Sequence, residues 1–163
     1  MGAATPGVGQ RYEATGSVRA GGVGHLDAHG LSTSFDGTAG RDDALPGPAD
    51  ILCAALSACI LKNVERFSRL LSFSYESATV HVVAEREEPP PRVTRMRYAL
   101  EIVTDEPVAR LELLHRNIQQ FGTITNTLAK ACDVDGTIRA VAGATASTAT
   151  AAPATTTNGD DER

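Results

Sequence analysis

The chain has 163 residues and a net charge of −5 at pH 7. An acidic chain without a basic cluster lacks the electrostatic footprint of nucleic-acid binding, so we expect no nucleic-acid partner. The length is that of one domain. No apolar stretch reaches the length of a membrane span, and the first ten residues lack the apolar core of a secretory signal. We therefore expect a cytoplasmic protein with no membrane partner.

The two ends differ in composition from the rest of the chain. Residues 1–10 and 143–163 are rich in small and polar residues and low in complexity. Such segments cannot bury enough apolar surface to offset the entropy of ordering. We expect both to be disordered tails around one domain at residues 11–142.

Within that domain the apolar pattern alternates between strand and helix periods. The first predicted strands, at residues 11–19 and 31–35, are joined by a glycine-rich connection. A helix follows from about Pro48 to Leu70. Later elements are two strands joined by a proline-rich turn, two helices and a last strand, at residues 77–85, 92–103, 108–120, 124–130 and 133–141. This order predicts an α+β fold with two small antiparallel sheet units around the long helix.

The long helix is apolar on every side. Pro48 suits a first helical position and Asp50 places negative charge in the first turn, while residues 51–61 contain no charge. A helix of this kind must be covered all round. The other apolar elements are too few to wrap it, so we expect a partner copy of the chain to cover the rest in a homodimer.

Cys59 lies inside this helix, and Lys62 and Arg66 follow one and two turns later. Cations on the same helix face could favour a reactive thiolate. The alternative is that Cys59 is a small core residue and the two cations mark the solvated end of the helix. Cys53 lies about 240° round the helix from Cys59, so the two thiols point apart. Cys53 and Cys132 are expected to be structural.

Other chemistry is not predicted. An odd number of cysteines does not suggest a disulfide framework and is consistent with a reducing compartment. The four histidines show no metal-ligand spacing, and we interpret them as solvated or hydrogen-bonded; His115 is placed on the helix face away from the core. No nucleotide-binding fingerprint is present, so neither a metal nor a cofactor is expected.

Three segments resemble the OsmC/Ohr family of thiol-dependent organic hydroperoxide reductases. The helix GPADILCAALSACILKNVERFSRL, with the pair Ala58-Cys59, is similar to the family's central helix. FGTITNTL resembles the family segment Cys-Pro-Val-Ser-Asn-Thr-Leu, and PPPRVTRMRYALEIV resembles its Pro-Pro-Arg strand. The resemblance covers roughly residues 11–142. It implies an intertwined homodimer with two long helices at its centre, active sites built from both chains, and Cys59 as the peroxide-reducing residue.

The chain also departs from the family pattern. The resemblance places Gly122 where the family has its second, resolving cysteine. It places Ala49 where the hydroperoxide reductases have a Glu that holds an activating Arg. Asp50, one residue on, would project about 100° away. The family Arg comes from the N-terminal hairpin, where Arg19 is the nearest candidate; the alternative is an ordinary strand-end charge.

Three functions follow from these observations. The first is a one-cysteine peroxidase that reduces organic hydroperoxides through Cys59, comparable to a peroxiredoxin, with an external thiol reductant whose identity the sequence does not specify. The second is a non-catalytic dimer that binds a small apolar ligand in the retained cleft. The third is a purely structural or interaction dimer. Retention of Cys59 favours the first over the third, whereas the absent Glu and resolving cysteine favour the second over a fully active enzyme.

Overall fold

A computed structural model of the chain describes residues 9–40 and 44–142. Almost all of the two tails predicted to be disordered, residues 1–8 and 143–163, lies outside the described part. The elements, in chain order, are β1 (Thr15–Val18), β2 (Gly24–Ala28), β3 (Leu31–Phe35), α1 (Pro48–Leu71), β4 (Ser77–Glu87), β5 (Arg92–Val103), α2 (Val108–Phe121), α3 (Thr123–Leu128) and β6 (Asp133–Val141).

The long helix α1 begins where the sequence predicts. Pro48 occupies its first turn, and the Asp50 carboxylate accepts a hydrogen bond of 2.8 Å from the main-chain N–H of Gly47. This bond satisfies one donor at the helix start and places negative charge at the positive end of the helix dipole. At the other end Ser72 adopts a left-handed conformation, with φ of 51°, that stops the helix.

The first sheet consists of β1, β2 and β3 in antiparallel order. The sequence analysis missed β2 and interpreted its residues as part of a glycine-rich connection. Only Gly24 in β2 is fully buried, and the strand carries no apolar alternation beyond Leu26 and Ala28. A main-chain hydrogen bond of 3.0 Å from Asp36 N–H to the carbonyl of Pro46 closes the loop that leads to α1.

The second sheet contains β4, β5 and β6. β4 and β5 form an antiparallel hairpin, as the short proline-rich turn indicates, but β5 and β6 pair in parallel. The prediction of two antiparallel sheets was therefore wrong for β6. The helices α2 and α3 lie between β5 and β6, and a connection of this length returns the chain in the parallel direction.

The core lies between one face of the second sheet and the helices α1 and α2. Side chains of β5 that alternate toward the helices are fully or almost fully buried: Met96, Tyr98, Leu100 and Ile102. The two helices contribute further buried apolar side chains to this core, among them Leu56, Ile60, Val64, Phe67, Leu111, Leu114 and Ile118. The opposite face of the sheet carries cross-strand ion pairs, including Arg97 with Glu85.

The chain covers only one side of α1. Leu56 and Ile60 are buried against the sheet, whereas Ala54, Ala58 and Leu61 are exposed on the other side of the helix. One small sheet thus leaves an apolar stripe of this helix in contact with solvent. Within residues 9–40 and 44–142, none of the helices has the length and apolar character needed to cross a membrane.

Candidate functional site

Cys59 lies near the middle of α1, half-buried and unpaired. The side chain that hydrogen-bonds to it is Asn63, one helical turn later. The Asn63 side-chain nitrogen donates to the Cys59 carbonyl at 2.9 Å and lies 3.7 Å from the Cys59 sulfur. The sequence analysis did not select Asn63. Its sequence signal is weak, because Asn63 stands beside the charged Lys62, Glu65 and Arg66, and only its spacing places it on the same helix face as Cys59.

The cations predicted near Cys59 lie toward solvent. Lys62 and Arg66 are exposed and line a shallow groove of about 550 Å³ together with Glu65, Arg69 and Leu70. The Arg66 guanidinium lies 5.3 Å from the centre of the Phe67 ring, in cation–π geometry. The groove is therefore a solvated surface with three cations, and Cys59 is not among its lining residues.

The start of α1 supplies no carboxylate to an activating Arg. Ala49, which the resemblance aligns with the family Glu, is exposed. The Asp50 carboxylate is engaged with the Gly47 N–H. Arg19 lies just after β1, exposed, at the turn in which Gly22 N–H donates to its carbonyl at 2.9 Å. The structure thus leaves the Arg19 guanidinium on the surface of the first sheet.

Cys53 faces a different space from Cys59. It lines a cavity of about 550 Å³ beside the start of α1, with walls that include Leu45, Val82, Val83 and Ala84. Burial and the nearby Asp50 carboxylate raise the pKa of the Cys53 thiol. Cys53 is therefore a protonated thiol near neutral pH, and its structural role stays a prediction.

Gly122, which the resemblance aligns with the second cysteine of the family, is closely packed. Gly122 is buried at the start of α3, and a Cβ built on it would lie 2.6 Å from the Thr125 hydroxyl oxygen. Just before it, the Phe121 ring packs 5.5 Å from the Phe67 ring of α1. A side chain at residue 122 thus requires Thr125 to move or to be replaced.

Cys132 lies in the turn before β6, where its sulfur approaches the Leu128 carbonyl at 3.5 Å. Burial and the adjacent Asp133 raise the pKa of its thiol. Both features describe a thiol that is not activated for attack.

His115 is hydrogen-bonded, as expected for the histidines, but its predicted placement away from the core was wrong. Its Nε2 lies 2.8 Å from the Tyr98 hydroxyl, and the two rings meet edge to face. Residue 115 is one turn after Leu111, which brings both side chains to the face that packs on the sheet. Burial lowers the pKa of His115 and raises the pKa of Tyr98 to about 12.

Residues 9–40 and 44–142 contain no group of three or more His, Cys, Asp or Glu side chains that could hold a metal ion. Among the described residues, the candidate reactive group is therefore the Cys59 thiol with its hydrogen-bonding neighbour Asn63.

Comparison with known proteins identifies the family. A family model described as OsmC-like protein matches residues 40–136, more than half of the chain. The chain belongs to the OsmC family. No protein with a curated description matches it significantly by sequence. The match includes α1 with Cys59 and extends through α3 with Gly122, so the resemblance stated from the sequence is confirmed over the segments that carry it.

Solved OsmC-family structures share the fold. An OsmC-like protein from Mycoplasma pneumoniae aligns with a TM-score of 0.74 at 14% identity, covering 81% of this chain and 98% of that one. An organic hydroperoxide resistance protein from Legionella pneumophila aligns with a TM-score of 0.63 at 14% identity, covering 79% and 96%. An organic hydroperoxide resistance protein from Elizabethkingia anophelis aligns with a TM-score of 0.66 at 16% identity, covering 83% of this chain and 99% of that one. These likenesses confirm the α+β fold with two small sheets and a central helix.

Proposed function

We propose that this OsmC-family protein reduces organic hydroperoxides through Cys59, with an external thiol as the reductant. The observation that carries the proposal is the unpaired, half-buried Cys59 at the family's central-helix position. Support also comes from the structural neighbours named organic hydroperoxide resistance proteins. At the other two cysteines, burial and a nearby carboxylate raise the pKa of the thiol, Asp50 beside Cys53 and Asp133 beside Cys132.

The reaction consists of one oxidation and one reduction of the same sulfur. The Cys59 thiolate attacks the terminal oxygen of the hydroperoxide, the O–O bond breaks, and a proton converts the leaving alkoxide to an alcohol. Cys59 is then a sulfenic acid. One external thiol condenses with it, releasing water and forming a mixed disulfide, and a second thiol attacks that disulfide to restore Cys59 and release the oxidised reductant.

The absence of a resolving cysteine at residue 122 governs the fate of the oxidised form. Cys53 is far round the helix, and Cys132 is a weakly acidic thiol in a separate turn. We therefore expect the sulfenic acid to persist without external thiol, and excess peroxide to convert it to sulfinic acid. With Ala49 in place of the family Glu, the catalytic cycle should be slow.

Mass spectrometry tests this proposal directly. One equivalent of an organic hydroperoxide should add one oxygen to the chain, a sulfenic-acid probe should trap it on Cys59, and excess peroxide should add a second oxygen. The Cys59→Ser variant should gain neither. A loss of two hydrogens that Cys132→Ser abolishes would show instead that Cys132 resolves Cys59. Absence of any adduct on Cys59 would overturn the proposed reaction.

A second candidate function is supported by the cavity beside Cys53. Its volume is about 550 Å³, and its lining combines an apolar wall of Val82, Val83 and Ala84 with charged side chains such as Arg86, which suits a small apolar molecule with one polar end. If the protein is a binding module, a short-chain fatty acid or a similar apolar probe should raise the melting temperature of wild type and of Cys59→Ser equally. Val83 lines the cavity but is 45% exposed, so Val83→Glu should abolish that shift and leave oxidation of Cys59 unchanged.

A further inference from the structure

Asn63 is an unusual residue for its position in the fold. Its side chain is 7% exposed, and Ile60 and Val64 beside it are almost fully buried. An asparagine is a weak helix former, and burial of an amide is unfavourable unless its polar atoms are hydrogen-bonded. A leucine would fill the same space at lower free-energy cost. The presence of an amide here therefore calls for a contact that an apolar side chain cannot make.

The contacts of Asn63 converge on Cys59. The Asn63 side-chain nitrogen is 2.9 Å from the Cys59 carbonyl oxygen, which can only accept. The amide group must therefore turn its NH₂ toward Cys59. This NH₂ carries two hydrogens; one is used by the carbonyl, and the nitrogen lies 3.7 Å from the Cys59 sulfur, within hydrogen-bonding range for sulfur. The second hydrogen is available to that sulfur.

A thiolate benefits from this donor more than a thiol does. A hydrogen bond to an ionised acceptor is about twice as strong as one between neutral groups, and it favours the charged form. The other donors considered for this role are elsewhere: Lys62 and Arg66 lie in the exposed groove, and Arg19 lies on the first sheet. Among the described residues, Asn63 makes the side-chain hydrogen bond to the Cys59 sulfur.

We propose that Asn63 donates a hydrogen bond to the Cys59 thiolate, holding the sulfur in one position and stabilising the anion that attacks the peroxide. This inference rests on the proposed function and assigns a donor to its reacting atom. The contact is between residues one helical turn apart, so it forms within α1 itself and depends on no second protomer. The neutral amide thus provides part of the stabilisation that a neighbouring cation provides to a thiolate in other sites.

The experiment measures the pH dependence of Cys59 alkylation by iodoacetamide, with fragment-ion mass spectrometry separating Cys59 from Cys53. Asn63→Leu keeps the volume and removes the donor. Its alkylation midpoint should lie roughly half to one pH unit above that of wild type. Asn117→Leu is the matched control, because the Asn117 nitrogen donates to the Leu113 carbonyl at 2.8 Å in the same geometry but faces no thiol. Its midpoint should equal that of wild type.

A wild-type measurement covers the case in which Asn63→Leu does not fold. The side-chain NH₂ resonances of Asn63 should shift with pH at the midpoint of Cys59 alkylation, and those of Asn117 should not. An unchanged midpoint in folded Asn63→Leu, or Asn63 resonances that do not respond to the titration, would overturn the inference while Cys59 of wild type is still oxidised by hydroperoxide. Failure of wild-type Cys59 to react with any hydroperoxide overturns the proposed reaction instead.

Discussion

The ring of Tyr98 occupies the space beside Gly136 on the neighbouring parallel strand. The two residues are register partners in β5 and β6, and a Cβ built on Gly136 would lie 2.4 Å from three atoms of the Tyr98 ring. The missing side chain is therefore what allows the tyrosine to lie in the core and reach His115 with its hydroxyl group.

Replacement of Gly136 by alanine should lower the free energy of unfolding by about 1–3 kcal/mol, because the Tyr98 ring must move out of a packed position. Gly40→Ala is the control, since a Cβ there meets nothing within 4 Å; it should change stability by less than about 0.5 kcal/mol. Chemical denaturation gives both values. Equal stabilities for the two variants would show that the ring has room to shift.

Stability should fall with pH below neutrality through His115. Burial lowers the pKa of His115 from 6.5, so the unfolded chain takes up the proton before the native chain does. Stability is therefore complete above about pH 6.5 and is lost as the pH falls through the lower native value. Glu65 and Glu106, whose pKa values are lowered from 4.5, titrate below this window.

The comparison is between unfolding free energies at about pH 7.5 and about pH 5.5. The loss should be smaller in His115→Gln than in wild type, whereas the exposed His81→Gln should retain the wild-type loss. If His115→Gln loses as much unfolding free energy as wild type between these two pH values, the pH dependence does not arise from His115.

A cysteine at residue 122 should restore internal resolution only if Thr125 is also changed. The Gly122→Cys side chain meets the Thr125 hydroxyl at 2.6 Å, so Gly122→Cys/Thr125→Ala should be more stable than Gly122→Cys alone. Because α3 packs against α1, the double variant should lose two hydrogens on treatment with one equivalent of hydroperoxide. Cys59→Ser in that background should prevent the loss. A persistent sulfenic acid would show that residue 122 does not reach Cys59.

Arg19 lies on the surface of the first sheet, which favours an ordinary strand-end charge over an activating cation. Arg19→Ala should therefore leave both the rate of Cys59 oxidation by an organic hydroperoxide and the melting temperature as in wild type. Arg11→Ala, which removes an exposed cation paired with Glu13, is the matched control. A several-fold slower oxidation in Arg19→Ala but not in Arg11→Ala would show instead that Arg19 activates Cys59.

The exposed side of α1 should be the dimer interface. Leu61 on α1 and Leu113 on α2 are each 36% exposed, so glutamate at either position is tolerated equally well by the isolated fold. Leu61→Glu should yield a monomer in sedimentation, whereas Leu113→Glu should sediment as wild type. A wild-type chain that is monomeric at micromolar concentration would contradict the dimer.

Elements with a clear apolar period could be predicted from the sequence, and the others could not. The bounds of β5 and β6 were predicted to the residue, and α1 to within one, because their apolar residues recur at strand or helix spacing. β2 was missed because it has few apolar residues. The parallel direction of β6 depends on how α2 and α3 pack, which no local pattern encodes.

The candidate site shows the same division. Cys59 stands out in the sequence because an uncharged helix surrounds it. Its neighbours were sought among the cations Lys62 and Arg66, whose charge is visible in a sequence, whereas Asn63 becomes apparent only once its burial is known. The cavity beside Cys53 is lined by α1, by β4 and by the loop that leads to α1, so no pattern within one segment could predict it.

The parallel pairing of β5 with β6 also sets an order of events in folding. Partners such as Glu101 and Arg139 are 38 positions apart, whereas the β4–β5 hairpin pairs close neighbours such as Glu87 and Arg92. Since closing a longer loop costs more entropy, the hairpin should form before β6 docks. We expect the rate-limiting barrier to come before this docking, so that the contact between Tyr98 and Gly136 forms after it. Gly136→Ala should accordingly speed unfolding and leave the refolding rate nearly unchanged, so that kinetic lifetime, more than the speed of assembly, depends on that glycine.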